Sequence, residues 1–258
     1  MQVGLEGRVV IVTGAAQGVG RAIAARCAEA GAAGLLVTDR MTPDAIVDEL
    51  VAAGAPAAFV AADLEDEGAA DRIAAACLQH FGRIDGLVNA AGATTRASVA
   101  AGDAATFDRL MGVNARTPLL LMQRAIADLR ARGAEGSIVN ILTMNVHGGS
   151  PNVAFYAAGK AALALLTRNA AQTHRFDRIR VNGVNVGWTD TPGERATQAA
   201  IEGRGDTWLD ARAAEQPFGR LLSPDDVARL ALFLLSDCSA PMTGAIIDQE
   251  QWVVGARD

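Results

Sequence analysis

Arg8-Val9-Val10-Ile11-Val12-Thr13-Gly14-Ala15-Ala16-Gln17-Gly18-Val19-Gly20 is the stretch that decides the fold. Residues 8–13 form an apolar run closed by a glycine, which predicts a buried strand. Residues 18–30 carry alanine and isoleucine at helical spacing and stop at Gly31. A strand that enters a helix through three closely spaced glycines is suited to cradling a phosphate. Gly14 permits the tight turn, Gly18 lets the backbone approach the phosphate, and Gly20 allows close helix–strand packing. The spacing is GxxxGxG and not GxGxxG, so the common dinucleotide fingerprint is not matched literally.

Downstream, short apolar runs alternate with longer helical patterns. Strands are predicted at 35–39, 57–61, 86–89, 137–142, 180–186 and 245–248. Helices are predicted at 43–53, with Pro43 in the first turn, at 65–80, at 152–174 and at 224–236. Residues 103–132 read as one extended helix that Pro118 kinks. Such alternation predicts an α/β fold, a mostly parallel sheet with helices on both faces. No Pro/Ser-rich linker or composition break divides residues 1–258, so one domain is expected. Residues 187–217 fit the alternation least. They hold Glu194, Arg195, Glu202, Arg204, Asp206, Asp210, Arg212, Trp188 and Trp208. Following the carboxyl end of a strand, they read as a substrate lid, or else as a solvated surface insertion.

Composition narrows the function. The formal net charge is -6, which argues against nucleic acid and anionic membrane as partners. No apolar run reaches the ~18 residues a spanning helix needs. The N-terminus lacks the basic and apolar regions of a signal peptide. Cys27, Cys77 and Cys238 are odd in number without CxxC spacing, which reads as reduced thiols in a cytoplasmic protein. His80, His147 and His174 are scattered, so no metal site is expected.

Two further features carry chemistry. Asp39 ends the second predicted strand, nineteen residues after Gly20. There a carboxylate accepts hydrogen bonds from adenosine ribose hydroxyls and repels a 2′-phosphate, which favours NAD over NADP; the adjacent Arg40 works the other way. Tyr156, the only tyrosine, precedes Lys160 by four residues, and Thr143 lies thirteen upstream. A helix puts Tyr156 and Lys160 on one face. An ammonium beside a phenol lowers the phenol's pKa from about 10, so the tyrosine can exchange a proton with an alcohol or carbonyl.

Taken in order, these segments resemble the short-chain dehydrogenase/reductase family over nearly the whole length. The matching pieces are residues 13–20, Asp39, Asp63-Leu64, Asn89-Ala90-Ala91-Gly92, Asn114, 137–143, 156–160 and 180–191. The resemblance implies a Rossmann-type doubly wound sheet of seven parallel strands. It also implies reversible hydride transfer between a nicotinamide and a carbonyl or alcohol. By the same resemblance Tyr156 is the general acid/base. Lys160 binds the nicotinamide ribose and lowers the tyrosine pKa, and Asn114 holds a water that relays protons. Gln17 and Val19 accompany the three glycines at the cofactor. Asp63 contacts adenine with Leu64 beside it, and Asn89, Ala90 and Gly92 line the adenosine side. Val186 and Thr191 contact the nicotinamide end. The family commonly forms homotetramers. Here that implies the 103–132 and 152–174 helices pairing across one axis and the apolar tail, with Ile246, Ile247, Trp252, Val253 and Val254, across another.

Three departures stand out. The position thirteen before the tyrosine is usually serine and is here Thr143. Threonine keeps the hydroxyl, but its methyl and stiff χ1 narrow the pocket. The usual Pro-Gly pair after the sixth strand is Val186-Gly187. Gly159 stands inside a predicted helix, where glycine costs roughly 1 kcal/mol against alanine unless close packing uses it.

The leading expectation is an NAD-dependent dehydrogenase of secondary alcohols. Asn145, Trp188 and Glu194 face the substrate, and a sugar or polyol fits their polarity. The alternatives are a 3-oxoacyl or other ketone reductase, and a dinucleotide-binding protein with weakened catalysis.

Overall fold

The expected alternation is present in the computed structural model, which describes residues 3–41, 45–200 and 207–255. The first half runs β1 (Val9–Thr13), α1 (Gly18–Glu29), β2 (Gly34–Asp39), α2 (Ile46–Ala52), β3 (Ala57–Ala61), α3 (Ala69–Phe81) and β4 (Gly86–Asn89). The second half runs α4 (Ala104–Met111), α5 (Thr117–Arg132), β5 (Gly136–Thr143), α6 (Ala154–Thr173) and β6 (Ile179–Val186). It closes with α7 (Pro192–Ala200), α8 (Trp208–Ala214), α9 (Pro224–Leu235) and β7 (Ile246–Gln249). The strands form one seven-stranded parallel sheet in the order β3-β2-β1-β4-β5-β6-β7.

Period-two alternation along β1 divides the core into two layers. Val10 and Val12 pack with Ile23 of α1, Leu50 of α2 and Val227 of α9. Val9 and Ile11 pack with Ile73 of α3, Leu121 of α5 and Leu163 of α6. With both faces covered, every residue of β1 is buried, which explains its unbroken apolar run. Cys27 and Cys77 belong one to each layer, and burial pushes both thiols up to about 12, so they stay protonated.

Strand order reverses between β1 and β4, and the crevice at their carboxyl ends is where such sheets bind ligands. Thr13 ties this point together: its hydroxyl accepts the Ala90 and Ala91 N–H groups, each at 3.1 Å. The close approach explains Gly14, which sits at φ +71° and whose missing Cβ would lie 2.8 Å from Ala91 Cα. Gly20 is stricter still, since a Cβ there would lie 2.1 Å from the Gly14 carbonyl oxygen.

Three expectations about elements need correction. Residues 103–132 are not one helix kinked at Pro118. α4 and α5 are separated by a π-helical turn, Gly112–Arg116, and Pro118 lies in the first turn of α5. Pro118 has no N–H for the carbonyl one α-turn back, and the Thr117 N–H bonds Gly112 five residues away. The α3 helix starts at Ala69 and not at residue 65, because Asp63 folds the chain into a turn in which its carboxylate accepts the Glu65 N–H at 2.9 Å. Pro43 lies outside the described residues, and α2 begins at Ile46 after Ala45 in a left-handed conformation. The 187–217 segment carries α7 and α8, and its Glu202, Arg204 and Asp206 also lie outside the described residues.

Candidate active site

α6 and the end of β5 build the centre. Four residues apart, Tyr156 and Lys160 sit one turn from each other on α6, and Thr143 closes β5 beside them. Lys160 is only 3% exposed, and its Nζ donates to the Ile141 carbonyl of β5 at 2.8 Å. The buried Thr143 hydroxyl accepts the Asn145 N–H at 3.3 Å and stands near enough to the Tyr156 phenol to favour its ionised form.

The phenol is not acidified as the Tyr156–Lys160 spacing suggested. Burial pushes the half-buried Tyr156 up to about 12; the Thr143 hydroxyl pulls it down and the Glu194 carboxylate pushes it up further. Burial also pulls Lys160 down to about 8. Both groups have lost hydration in the same cleft, and the ammonium points its bond at Ile141 and not at the phenol.

Asn114 occupies the π-helical turn. Its side chain is 0% exposed and fully occupied: Oδ1 accepts the Ala93 N–H at 3.2 Å, and Nδ2 donates to the Ala93 and Leu110 carbonyls, each at 3.0 Å. Gly159 lies against it, and a Cβ there would fall 3.0 Å from Asn114 Cβ. The mid-helix glycine is thus a packing requirement of the α6 contact with this turn.

A cleft of about 1090 Å³ runs from the glycine turn past these residues. Gly14, Gln17, Gly18, Val19, Gly20, Asp39, Asp63 and Leu64 line one end. Ala90, Gly92, Thr143, Asn145, Tyr156, Lys160, Val186, Trp188, Thr191 and Glu194 line the rest. Asp39 accepts the Ala16 N–H at 3.1 Å and the Met41 N–H at 3.2 Å, which ties the end of β2 to the glycine turn. Asn89 is the exception. It is 1% exposed and does not line the cleft; its amide donates to Asn140 at 2.8 Å inside the core. As the last residue of β4 it points under the sheet's end, and its sequence neighbours Ala90 and Gly92 reach the cleft instead.

At the far end Trp188 and Glu194 are joined by two residues the sequence did not single out, Gln198 and Glu250. Trp188 Nε1 donates to Glu194 Oε1 at 2.9 Å, and Gln198 Nε2 donates to the same oxygen at 2.7 Å. Trp188 stacks on Trp208 with ring centroids 6.2 Å apart, and the Arg212 guanidinium sits 5.2 Å from the Trp188 ring centroid. Glu250 lies over Gly187, where a Cβ would meet its carboxylate at 2.4 Å. The i, i+4 spacing of Glu194 and Gln198 was a usable signal for their pairing on one helix face. Nothing local marks Glu250, which reaches the cleft only through β7 pairing with β6. His147 does not line the cleft; its Nε2 lies 3.1 Å from Asp248, a satisfied loop histidine.

The residues present fit a dinucleotide. A Cβ at Gly18 would point at Thr191, 3.5 Å away among the cleft residues, and Gln17 precedes α1 without a side-chain cap, which leaves first-turn N–H groups for an anion. Known proteins point the same way. The family profile described as enoyl-(acyl carrier protein) reductase matches residues 14–250. Cis-4-hydroxycyclohexanecarboxylate dehydrogenase of Sinomonas cyclohexanicum is 35% identical, over 93% of this chain and 94% of its own. 2-(S)-hydroxypropyl-CoM dehydrogenase 3 of Xanthobacter autotrophicus is 34% identical, over 93% and 94%. A crystal structure of a putative NAD(P)-dependent gluconate 5-dehydrogenase from Beutenbergia cavernae with bound NADP superimposes with a TM-score of 0.87 at 32% identity, covering 97% of this chain and 98% of its own. The chain belongs to the short-chain dehydrogenase/reductase family. It is an oxidoreductase acting on CH–OH groups with a nicotinamide dinucleotide.

Proposed function

We propose that the protein is an NAD-dependent dehydrogenase of secondary alcohols whose substrate carries several hydroxyls, a sugar or polyol. The observation that carries this reading is the meeting of Thr143, Tyr156 and Lys160 in the cleft that the glycine turn opens. Tyr156 exchanges the proton of the reacting hydroxyl. Thr143 favours the phenolate in the free site and gives its single hydroxyl proton to the reacting oxygen once the alcohol is bound. Lys160 binds ribose hydroxyls and supplies positive charge near the phenol. Asn114 serves the proton path through its backbone carbonyl, since its side chain is spent on Ala93 and Leu110. A bound oxidised nicotinamide supplies the hydride acceptor and a further positive charge. The protein's part is orientation and proton transfer.

Asp39 supports NAD. Each carboxylate oxygen accepts one backbone N–H, leaving lone pairs for ribose hydroxyls, and its charge repels a 2′-phosphate. Arg40 is exposed beside it and is the residue that would hold a 2′-phosphate. Gln17, Gly18 and Val19 hold the pyrophosphate, Asp63 and Leu64 the adenine, and Val186 and Thr191 the nicotinamide end. Residues 1–258 act as one domain, with 187–217 as the substrate loop. Cys27 and Cys77 are buried free thiols, which suits the reducing cytoplasm. Apolar Trp252, Val253 and Val254 are exposed on the tail and suit a homotetramer interface. The test is NADH absorbance on mixing protein, NAD and a panel of polyols and secondary alcohols. Formation of NADH with a polyol supports the reading. Turnover confined to NADPH with 3-oxoacyl thioesters replaces it with the reductase, and tight cofactor binding without turnover leaves a binding protein.

A further inference from the structure

Gln198 stands one α7 turn beyond Glu194 and lines the same cleft. It is 2% exposed, and its Oε1 has no hydrogen-bond partner among the described residues. The amide orientation is fixed, because Nε2 must donate to Glu194, a carboxylate that only accepts. Glu194 takes both of its donors, Trp188 and Gln198, on Oε1, and its Oε2 receives no hydrogen bond from a described residue. Two acceptors therefore sit together on α7 at the substrate end of the cleft. A buried acceptor left unpaired is destabilising, and a ligand's donor relieves it. Glu194 is also near enough to Tyr156 to oppose its ionisation, which places this pair beside the reacting centre. Arg212, over the Trp188 ring, is paired with Glu215 at 2.6 Å and takes neither of the two acceptors.

We infer that Gln198 and Glu194 are specificity-determining residues that accept hydrogen bonds from a second, non-reacting hydroxyl of the substrate. The inference rests on the polyol dehydrogenase reading of the same cleft and names the residues that would enforce it. The rigid support is Trp188, whose indole N–H holds Glu194 and whose ring is stacked on Trp208.

The test compares cyclohexanol with the 1,2-, 1,3- and 1,4-cyclohexanediols as substrates for the wild-type protein and for Gln198→Leu. The three diols scan the spacing between the reacting and the recognised hydroxyl. At least one diol should exceed cyclohexanol in kcat/KM by about ten- to a hundredfold, the range for one hydrogen bond to a buried acceptor. In Gln198→Leu that ratio should fall toward one. A general loss of folding lowers both substrates together and leaves the ratio unchanged. The same titrations are read by tryptophan fluorescence in the presence of NAD, which reports binding near Trp188 without turnover. A saturable change with a diol, weakened in Gln198→Leu, upholds the inference even where no alcohol is oxidised; in that case only the dehydrogenase reading fails. Oxidation of cyclohexanol and the diols at equal efficiency, or a diol preference that survives Gln198→Leu, overturns the inference and leaves the dehydrogenase reading standing. Absence of both turnover and a fluorescence change overturns both.

Discussion

Replacing Thr143 by alanine isolates the departure that most distinguishes this site. The threonine hydroxyl is the one group that lowers the Tyr156 pKa against burial and the Glu194 charge. It also stands where the oxygen of a reacting alcohol would be held. Loss of one such hydrogen bond in the transition state costs about 2–3 kcal/mol. At 1.36 kcal/mol per tenfold, that is about 30- to 160-fold in kcat/KM. Tyr156 should also become harder to ionise, so the rise of the oxidation rate with pH should move to higher pH. The residue is only 7% exposed, but the excised atoms are few, so the melting temperature should change little compared with the rate. The assay is the initial rate of NADH formation over a range of pH and alcohol concentration, with Thr143→Ser as control. The serine variant should remain active, because it keeps the hydroxyl. An alanine variant within about twofold of wild type would refute the reasoning, as would a serine variant as weak as alanine.

Three further outcomes are expected. NAD should bind more tightly than NADP in calorimetric titrations; equal or tighter NADP binding would transfer the decision from Asp39 to Arg40. Tyr156 is the only tyrosine, so near-ultraviolet tyrosinate absorbance reports it alone, and the ligand-free midpoint should lie at about 12. An unfolded tyrosine ionises near 10 while the folded one keeps its proton, so stability should fall as pH rises from about 10 to 12, and Glu194→Gln should move the midpoint down. A midpoint at or below 10 would show that Lys160 outweighs burial without any ligand. Light scattering should give a mass near four times 26.6 kDa, and a mass of one chain would remove the tetramer without touching the chemistry.

The sheet was legible because its inner strands, β1, β4 and β5, are buried along their whole length and read as short runs of mainly apolar residues, and the half-exposed edge strand β3 is itself a short apolar run. The boundaries of β3 and β4 coincide with the expected 57–61 and 86–89. The π-helical turn at Gly112–Arg116 was not legible, since apolar periodicity continues through it and only Pro118 hinted at an interruption. In the site, Tyr156, Lys160 and the glycines were marked by spacing that geometry requires. Asn89 was misplaced because the last residue of a strand can face either way, and its neighbours Asn140 and Pro118 are remote in sequence. The phenol's acidity was misjudged because spacing reports proximity to Lys160 but not desolvation, which here is the larger effect. Glu250 and Gln198 come together with the centre only through tertiary packing.

The measurement that bears most directly on the central claim is made on Tyr156→Phe. The variant keeps the ring and its packing and loses only the proton-transferring hydroxyl. Turnover of the best alcohol in the panel should fall by about 10²–10⁴-fold, the usual contribution of a positioned acid/base, while NAD affinity stays nearly intact. A phenylalanine variant that keeps more than a few per cent of the wild-type rate would contradict the assignment of Tyr156 as the group that moves the proton.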